Sequence, residues 1–344
     1  MSEPEIPPDG AGPEGPLVAR PALRRGFLSV RTLLSFAIAA ALLVLVWFLN
    51  DLSVEEILDR LSRANPWLIV AAFVVYALNF PLRTLRWRIL LNNAVKHEET
   101  SPKYTMWGLF QILYISWFVN GVIPLKMGDV YRAYMARANY GTSLTRTLGT
   151  VFTERVLDVV TLILIVLVSS VFVLQQTEVG EDVGRIIMVA VVALAVLAAA
   201  VFAMLLFGSP IFRRFPKRVG EIYERFHSGV FDSWTWRSGP SLWLLSFAIW
   251  SAEMCRLTLV TRAVGLELGL GTIFFSGAAA SLLLAFPTPG GLGAVDGGII
   301  GLLRVAGGVS AGPAGVVAII DRFISYWCVT VSGAAMFALT RMKR

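Results

Sequence analysis

The sequence of 344 residues has little charge and few side chains suited to metal or redox chemistry. Only 15% of its residues are charged and 56% are hydrophobic, whereas a soluble globular protein has about a quarter charged residues. The two histidines lie far apart in polar connections, and both cysteines fall in apolar segments. These counts exclude a soluble globular protein, and they predict no disulfide framework, no metal site and no bound cofactor.

The positive charge, a net +7, lies in short connections between apolar runs. Lysine and arginine concentrate in the cytoplasmic loops of membrane proteins, so this pattern predicts a multi-pass protein of the cell membrane and no nucleic-acid partner. The basic connections place both termini in the cytoplasm. We predict six full spans, at 33–49, 66–82, 151–174, 186–207, 242–260 and 315–339.

The first 29 residues are rich in proline, glycine and acidic side chains, a composition that cannot bury a core. We predict a disordered cytoplasmic tail over 1–29 and a single transmembrane domain over 30–344. The connection at 208–239 is basic, with apolar residues at helical spacing. It is interpreted either as an amphipathic helix on anionic inner-leaflet lipid or as a packed cytoplasmic helix.

Two further apolar segments are interrupted by helix-breaking residues, one at 121–129 and the other at 286–293. Irregular backbone at membrane depth is tolerated where it is buried in protein or lines a watery cavity. The fold class predicted is therefore an all-α polytopic membrane protein with about six full spans and two re-entrant broken-helix hairpins. The residues that break these helices are Pro124, Gly128, Pro287, Pro289, Gly290, Gly291 and Gly293.

The two breaks recur in similar surroundings in two halves of the chain, about 66–174 and 241–340. In each half an aspartate follows the break, and an acid–arginine pair, Glu154-Arg155 or Asp321-Arg322, lies in the next span. The distribution of basic residues predicts that the first hairpin enters the membrane from the cytoplasm and the second from outside. We predict an inverted repeat, which in transporters indicates a binding site near the bilayer midplane.

Charged side chains within the apolar segments need an explanation, because each costs roughly 2.5 to 3.5 kcal/mol at the bilayer centre on insertion scales. They are either structural ion pairs that join the spans, or arginines that bind a lipid phosphate through their planar fork. In the second case the carboxylates hold the arginines or contact a cationic head group. The helix starts after Gly128 and Gly293 would add free N–H groups, and Asp129 and Asp296 are alternatively N-caps. The predicted substrate-binding residues are Arg83, Arg86, Lys126, Asp129, Arg132, Glu154, Arg155, Asp158, Glu253, Arg256, Asp296, Asp321 and Arg322.

Five motifs in this order resemble the lysylphosphatidylglycerol synthase transmembrane-region family, over about 31–339. They are Arg83-x-x-Arg86-Trp87-x-x-Leu90-Leu91, Asn120-x-x-x-Pro124-x-x-x-Gly128-Asp129-x-x-Arg132, Glu154-Arg155-x-x-Asp158, Phe286-Pro287-x-Pro289-Gly290-Gly291-Leu292-Gly293 and Asp321-Arg322-x-x-Ser325-Tyr326-Trp327. The resemblance implies the flippase-like half of the multiple-peptide-resistance proteins, which move aminoacylated phosphatidylglycerol between leaflets. Two features depart from it. The sequence ends at Arg344, so we expect a stand-alone member without the synthase domain, and Asp296 stands where we expect glutamate.

Three functional classes follow from these observations. The first is a lipid transporter whose substrate is an anionic or aminoacylated phospholipid or a polyprenyl-linked lipid. The second is a non-transporting membrane subunit that partners a separate synthase or glycosyltransferase. The third, a lipid-linked transferase enzyme, rests only on the spacing of His227 and Asp232 and is the least favoured, so we predict no enzyme activity. Homo-oligomerisation is left open.

Overall fold

The computed structural model describes residues 30–50, 53–96, 102–176, 217–285 and 288–340, with scattered helical residues between 184 and 196. The described part is helical and contains no β-strand. Six of its helical segments are long and apolar enough to cross a membrane. The chain is therefore an all-α multi-pass membrane protein, as its composition predicts. The predicted tail at 1–29, most of the predicted span at 186–207, and Pro287 lie outside the described residues.

The helices of the first half alternate between long apolar segments and shorter, more polar ones. They are α1 (Val30–Leu49), α2 (Val54–Arg63), α3 (Pro66–Ala94), α4 (Met106–Val122), α5 (Met127–Tyr140) and α6 (Leu144–Gln176). Local sequence explains how α3 starts. Pro66 suits the first helical position, and the Asn65 side chain accepts hydrogen bonds from the free N–H groups of Trp67 and Leu68.

The helices of the second half follow a connecting helix, α7 (Lys217–Phe231), which lies within the predicted amphipathic connection. The last helical run passes from α-helix through a π-helical segment, Phe323–Cys328, and back to α-helix. π-Helical turns inside α-helices are frequent at functional sites. The helices are α8 (Gly239–Ala263), α9 (Leu270–Leu282), α10 (Ala294–Gly307), α11 (Ala311–Arg322) and α12 (Val329–Leu339).

The first break lies between α4 and α5. α4 has 17 residues and is roughly 25 Å long at 1.5 Å per residue, shorter than the ~30 Å hydrocarbon core of a bilayer. α5 folds back against α4. The two helices pack so closely that a methyl group added at Gly128 would lie 2.0 Å from the carbonyl oxygen of Ser116. The helix therefore breaks and the chain turns back at the predicted position. That these two helices form a re-entrant hairpin, which enters and leaves through one membrane face, stays a prediction.

The second break separates α9 from α10. Two short 3₁₀ turns, Leu283–Ala285 and Pro289–Gly291, replace the α-helix here. Gly290, Gly291 and Gly293 have φ of 56°, 70° and 80°, a left-handed region that glycine enters at no steric cost. The described part of the predicted break is therefore irregular backbone. One difference from the prediction is that Pro289–Gly307 is also long and apolar enough to span.

Helices from the two halves pack against each other rather than in separate bundles. α8 lies along α3, α12 packs on α4, and α9 packs on α6. The main core contains residues from both halves, including Leu109 and Ile112 of α4 and Val316 and Val317 of α11, all fully buried. This interlocking brings the two breaks close together in the middle of the protein.

Candidate functional site

A cavity of about 590 Å³ lies between the two breaks. Its lining includes Asn120 and Lys126 at the first break and Gly290 and Gly291 at the second. Charged side chains of α3, α6, α8 and α11 contribute to it, and so do aliphatic side chains such as Leu162 and Leu284. The cavity therefore combines charged and apolar surface.

Four arginines and three carboxylates form the charge cluster of the first half. Arg132 makes two hydrogen bonds to Glu154, of 3.2 and 3.0 Å. Its guanidinium also lies 3.8 Å from the centre of the Trp87 ring. Arg86 pairs with both Glu154 at 3.6 Å and Asp158 at 2.8 Å, so the carboxylates spaced four residues apart on α6 face one side. The remaining members are Arg83, Arg155 and Asp129.

Arg155 is the most exposed of these arginines, with 30% of its side chain accessible. It contacts three carboxylates, Asp129 at 3.3 Å, Asp158 at 3.3 Å and Glu154 at 3.8 Å. Arg155 and Asp158 are three residues apart, a spacing that places both side chains on one face of α6. A planar guanidinium can contact several oxygens at once, so Arg155 joins the start of α5 to the middle of α6.

The second half contains a smaller cluster. Arg256 forms ion pairs with Glu253, at 3.1 Å, and with Asp321. Arg322 pairs with Asp296 at 2.7 Å and also donates a 3.2 Å hydrogen bond to the carbonyl oxygen of Gly290. These contacts neutralise the buried charges and hold the second break against α11.

One ion pair connects the two clusters. Arg83 of α3 lies 3.2 Å from Glu253 of α8 and 4.0 Å from Asp158 of α6. Arg83 is also close to two aromatic rings, at 4.8 Å from the centre of Trp117 and 5.5 Å from that of Trp250. The charges of both halves therefore form one continuous network, shielded by indole rings.

The two breaks have the same arrangement of cap, acid and arginine. Asp129 and Asp296 each occupy the third position of the helix that follows a break, and each pairs with an arginine 26 residues later, Arg155 or Arg322. The cap before each helix has positive φ, 56° at Lys126 and 80° at Gly293. These shared positions support the internal repeat, while its inverted orientation stays a prediction.

The turn of the first break holds two non-glycine residues in the left-handed region. Leu125 has φ of 62° and Lys126 has φ of 56°, and such residues cost of order 1–3 kcal/mol each. Asn120 fixes the turn, since its side-chain oxygen accepts from Gly128 N at 2.8 Å and its amide donates to Asp129 at 3.1 Å. Strain of this kind is concentrated at functional sites.

The two breaks meet at Tyr326, in the π-helical segment. Its hydroxyl donates a 2.9 Å hydrogen bond to the carbonyl oxygen of Gly121. Its ring covers Gly290, where an added methyl group would lie 2.6 Å from the ring carbons. A methyl group there would also lie 3.8 Å from the Cα atom of Gly121. The bare glycine backbone thus permits a close approach of both breaks.

Comparison with known proteins identifies the family of this site and scaffold. The model of the lysylphosphatidylglycerol synthase transmembrane region matches residues 32–333, which include both breaks and the whole charge network. The chain belongs to this family.

Several family relatives resemble the chain over most of its length. A UPF0104 membrane protein of Methanocaldococcus jannaschii is 33% identical over 64% of this chain and 93% of its own length. Another, from Methanothermobacter thermautotrophicus, is 26% identical over 81% of this chain and 87% of its own length. Glycosyltransferase AglD of Haloferax volcanii is 24% identical over 92% of this chain and 55% of its own length. No solved structure matches the chain.

The structure separates the predicted site residues of this family member into two groups. Arg86, Arg132, Glu154 and Asp296 are buried behind the cavity, and Pro124, Gly128, Pro289 and Gly293 shape the breaks without lining it. Among the described residues no group of histidine, cysteine or acidic side chains could hold a metal ion. The predicted residues that line the cavity are Arg83, Lys126, Asp129, Arg155, Asp158, Glu253, Arg256, Gly290, Gly291, Asp321 and Arg322.

The predicted binding residues leave out the uncharged polar and aromatic part of the lining, although Asn120 and Tyr326 stand in the motifs of the family resemblance. Tyr76, Trp117, Asn120, Trp250 and Tyr326 all face the cavity. Aromatic residues in apolar spans are common at membrane interfaces, so their presence alone did not identify them. The useful signal is a position on the same helix face as an intramembrane arginine, as with Tyr76 and Arg83, seven residues apart on α3.

Proposed function

We propose that this chain is a lipid transporter of the flippase type, which moves a phospholipid or a lipid-linked head group between the leaflets of the cell membrane. The observation that carries the proposal is the cavity of about 590 Å³ whose lining joins a charge network to aliphatic side chains. A lipid has the same two parts, a charged head group and apolar chains. The helix breaks on either side are the feature that indicates a midplane site in transporters.

The proposed mechanism is alternating access. The two halves rock around the cavity, so that the head group crosses through protein while the acyl chains stay in lipid. The accessible guanidinium of Arg155 and the more shielded one of Arg322 contact the head group, and the carboxylates that pair with them, Asp129 and Asp296, keep both arginines oriented. The contacts that Tyr326 makes between the breaks close the cavity in one of the two states.

The experiment is transport in liposomes. Purified protein is reconstituted, and a fluorescent anionic phospholipid in the inner leaflet is followed as it becomes accessible to a membrane-impermeant quencher outside. We expect the wild type to accelerate the exchange, and Arg155→Ala and Arg322→Ala to abolish it. Arg262→Ala, an exposed arginine in the last turn of α8, is the matched control. Full transport in both cavity variants would refute the assigned site.

A second function is supported by one comparison. A region that makes up 55% of glycosyltransferase AglD of Haloferax volcanii is similar to 92% of this chain. This favours a membrane subunit that presents a lipid to a glycosyltransferase or synthase without transporting it. The liposome assay separates the two functions, because a subunit would bind lipid in the cavity and give no exchange. Sugar transfer by the purified chain alone would instead assign it an enzymatic role.

A further inference from the structure

We infer that the cavity selects a lipid whose head group carries one net negative charge, a phosphodiester without a compensating amine, and that Lys126 is the residue that sets this preference. The inference deepens the proposed function, because it names the class of lipid at the same site. It rests on the balance of charge in the cavity, on the backbone conformation of Lys126, and on the comparison of the two breaks.

The charge balance leaves one positive charge without a partner. Every arginine in the network pairs with at least one carboxylate within 4.0 Å, and every carboxylate in it pairs with an arginine. Six arginines and six carboxylates cancel. Lys126 is the additional cation at the cavity, and it forms no ion pair with any residue of the described chain. The lining as a whole therefore has an excess of one positive charge.

The lysine at position 126 has a strained backbone conformation. Lys126 is the cap of α5 and is held in the left-handed region, where Gly293 is the cap of α10 in the second half. Glycine would adopt this conformation at no steric cost. Lysine at the same position is strained, and its long side chain supplies the ammonium group that glycine lacks.

The paired carboxylates decide against a cationic head group. An aminoacylated lipid brings an additional ammonium group, which would need a free carboxylate in the cavity. Asp129, Asp158, Glu253 and Asp321 line the cavity, and all four are already bound by arginines. The ammonium group would instead meet the excess positive charge. A monoanionic phosphodiester meets Lys126 and the accessible edge of Arg155, two donors suited to phosphate oxygens.

The test measures binding rather than transport, with the full chain in neutral detergent. Competition between acyl-labelled phosphatidylglycerol and phosphatidylcholine compares one net negative charge with none on the same phosphodiester. We expect the wild type to prefer phosphatidylglycerol, and Lys126→Gly to lose about tenfold of this preference, since the phosphodiester is common to both lipids and only the choline cation is repelled by the ammonium group of Lys126. Because glycine enters the left-handed region at no steric cost, we expect this variant to fold.

Two variants separate charge from backbone shape. Lys126→Arg keeps the charge and should keep the preference. Leu125→Gly relieves strain in the same turn without changing charge, and should also keep it. A wild-type preference that survives in Lys126→Gly, or is lost in both glycine variants, would overturn the inference. Soluble glycerophosphoglycerol as competitor tells a lipid site from a site for a free phosphodiester, and strong competition at equal concentration would refute lipid selection.

The outcome is distinguishable from that of the transport assay. Lys126-dependent preference without leaflet exchange would support the inference and refute the transporter, in favour of a lipid-binding subunit. Exchange of phosphatidylglycerol and phosphatidylcholine at equal rates and with equal affinity would support the transporter and refute the inference.

Discussion

The hydroxyl of Tyr326 donates a 2.9 Å hydrogen bond to the carbonyl oxygen of Gly121, and this bond joins the second half of the chain to the break in the first. Both atoms are buried. A carbonyl oxygen at a helix end has no intrahelical partner, and Gly121 lies in the last turn of α4. Tyr326 thus satisfies a backbone group that the break leaves open.

Removal of this hydroxyl should destabilise the fold. We expect Tyr326→Phe to lower the free energy of unfolding by about 1–3 kcal/mol, because it leaves a buried acceptor unsatisfied. The measurement is reversible unfolding in mixed micelles with increasing denaturing detergent. Tyr114→Phe is the control. Its partner Ser332 keeps a second hydrogen bond, to the carbonyl oxygen of Cys328, so a smaller loss is expected. Equal losses would contradict a special role for Tyr326.

The buried pair of Arg132 and Glu154 allows a sharper test of the charge network. Glu154→Gln removes the carboxylate that faces Arg132 and Arg86, both fully buried. Removing one partner of a buried ion pair costs roughly 3–5 kcal/mol, so we expect little folded protein. Folded yield is measured by size-exclusion chromatography in detergent. Asp59→Asn breaks the exposed pair with Arg63 and should cost less than about 1 kcal/mol. Wild-type yield of Glu154→Gln would show that this pair does not stabilise the fold.

Sequence spacing could predict the charge contacts within a helix and could not predict those between helices. Arg155 and Asp158, and Glu253 and Arg256, are three residues apart and do pair. The contact between Arg83 and Glu253 joins residues 170 positions apart. It depends on the packing of α3 against α8, for which neither apolar run contains a local signal. The breaks were predictable for the opposite reason, since proline and glycine act through the local backbone.

The left-handed turn at Lys126 shows a second limit of sequence patterns. Glycine and asparagine are the residues that indicate positive φ, and Leu125-Lys126 contains neither. In the second break the residues with positive φ, Gly290, Gly291 and Gly293, are all glycines, so the sequence itself indicates the conformation. The hydrogen bonds from Asn120 to the start of α5 hold the strained turn in place, and they depend on α4 and α5 lying side by side.

Close backbone packing at Gly128 should make it intolerant of any side chain. A methyl group there would lie 2.0 Å from the carbonyl oxygen of Ser116, which belongs to the backbone and cannot swing away. Overpacking of this kind costs about 1–3 kcal/mol, so we expect Gly128→Ala to lower the midpoint of thermal unfolding. Gly301→Ala is the matched control, because an added methyl group meets nothing within 4 Å there. It should stabilise α10 by roughly 0.5–1 kcal/mol. The reverse order of stability would contradict the packing of α5 on α4.

The orientation in the membrane can be tested at two exposed residues. The basic connection at 208–239 predicts that Arg237 lies in the cytoplasm and that Gln175, at the end of α6, lies outside. The two native cysteines, Cys255 and Cys328, are first replaced by alanine. Single cysteines at Gln175 and Arg237 are then treated with a membrane-impermeant maleimide on intact cells. We expect labelling at 175 in intact cells and at 237 only after permeabilisation. Labelling at 237 alone would invert the topology and would place the first break, with Lys126, at the opposite entrance of the cavity.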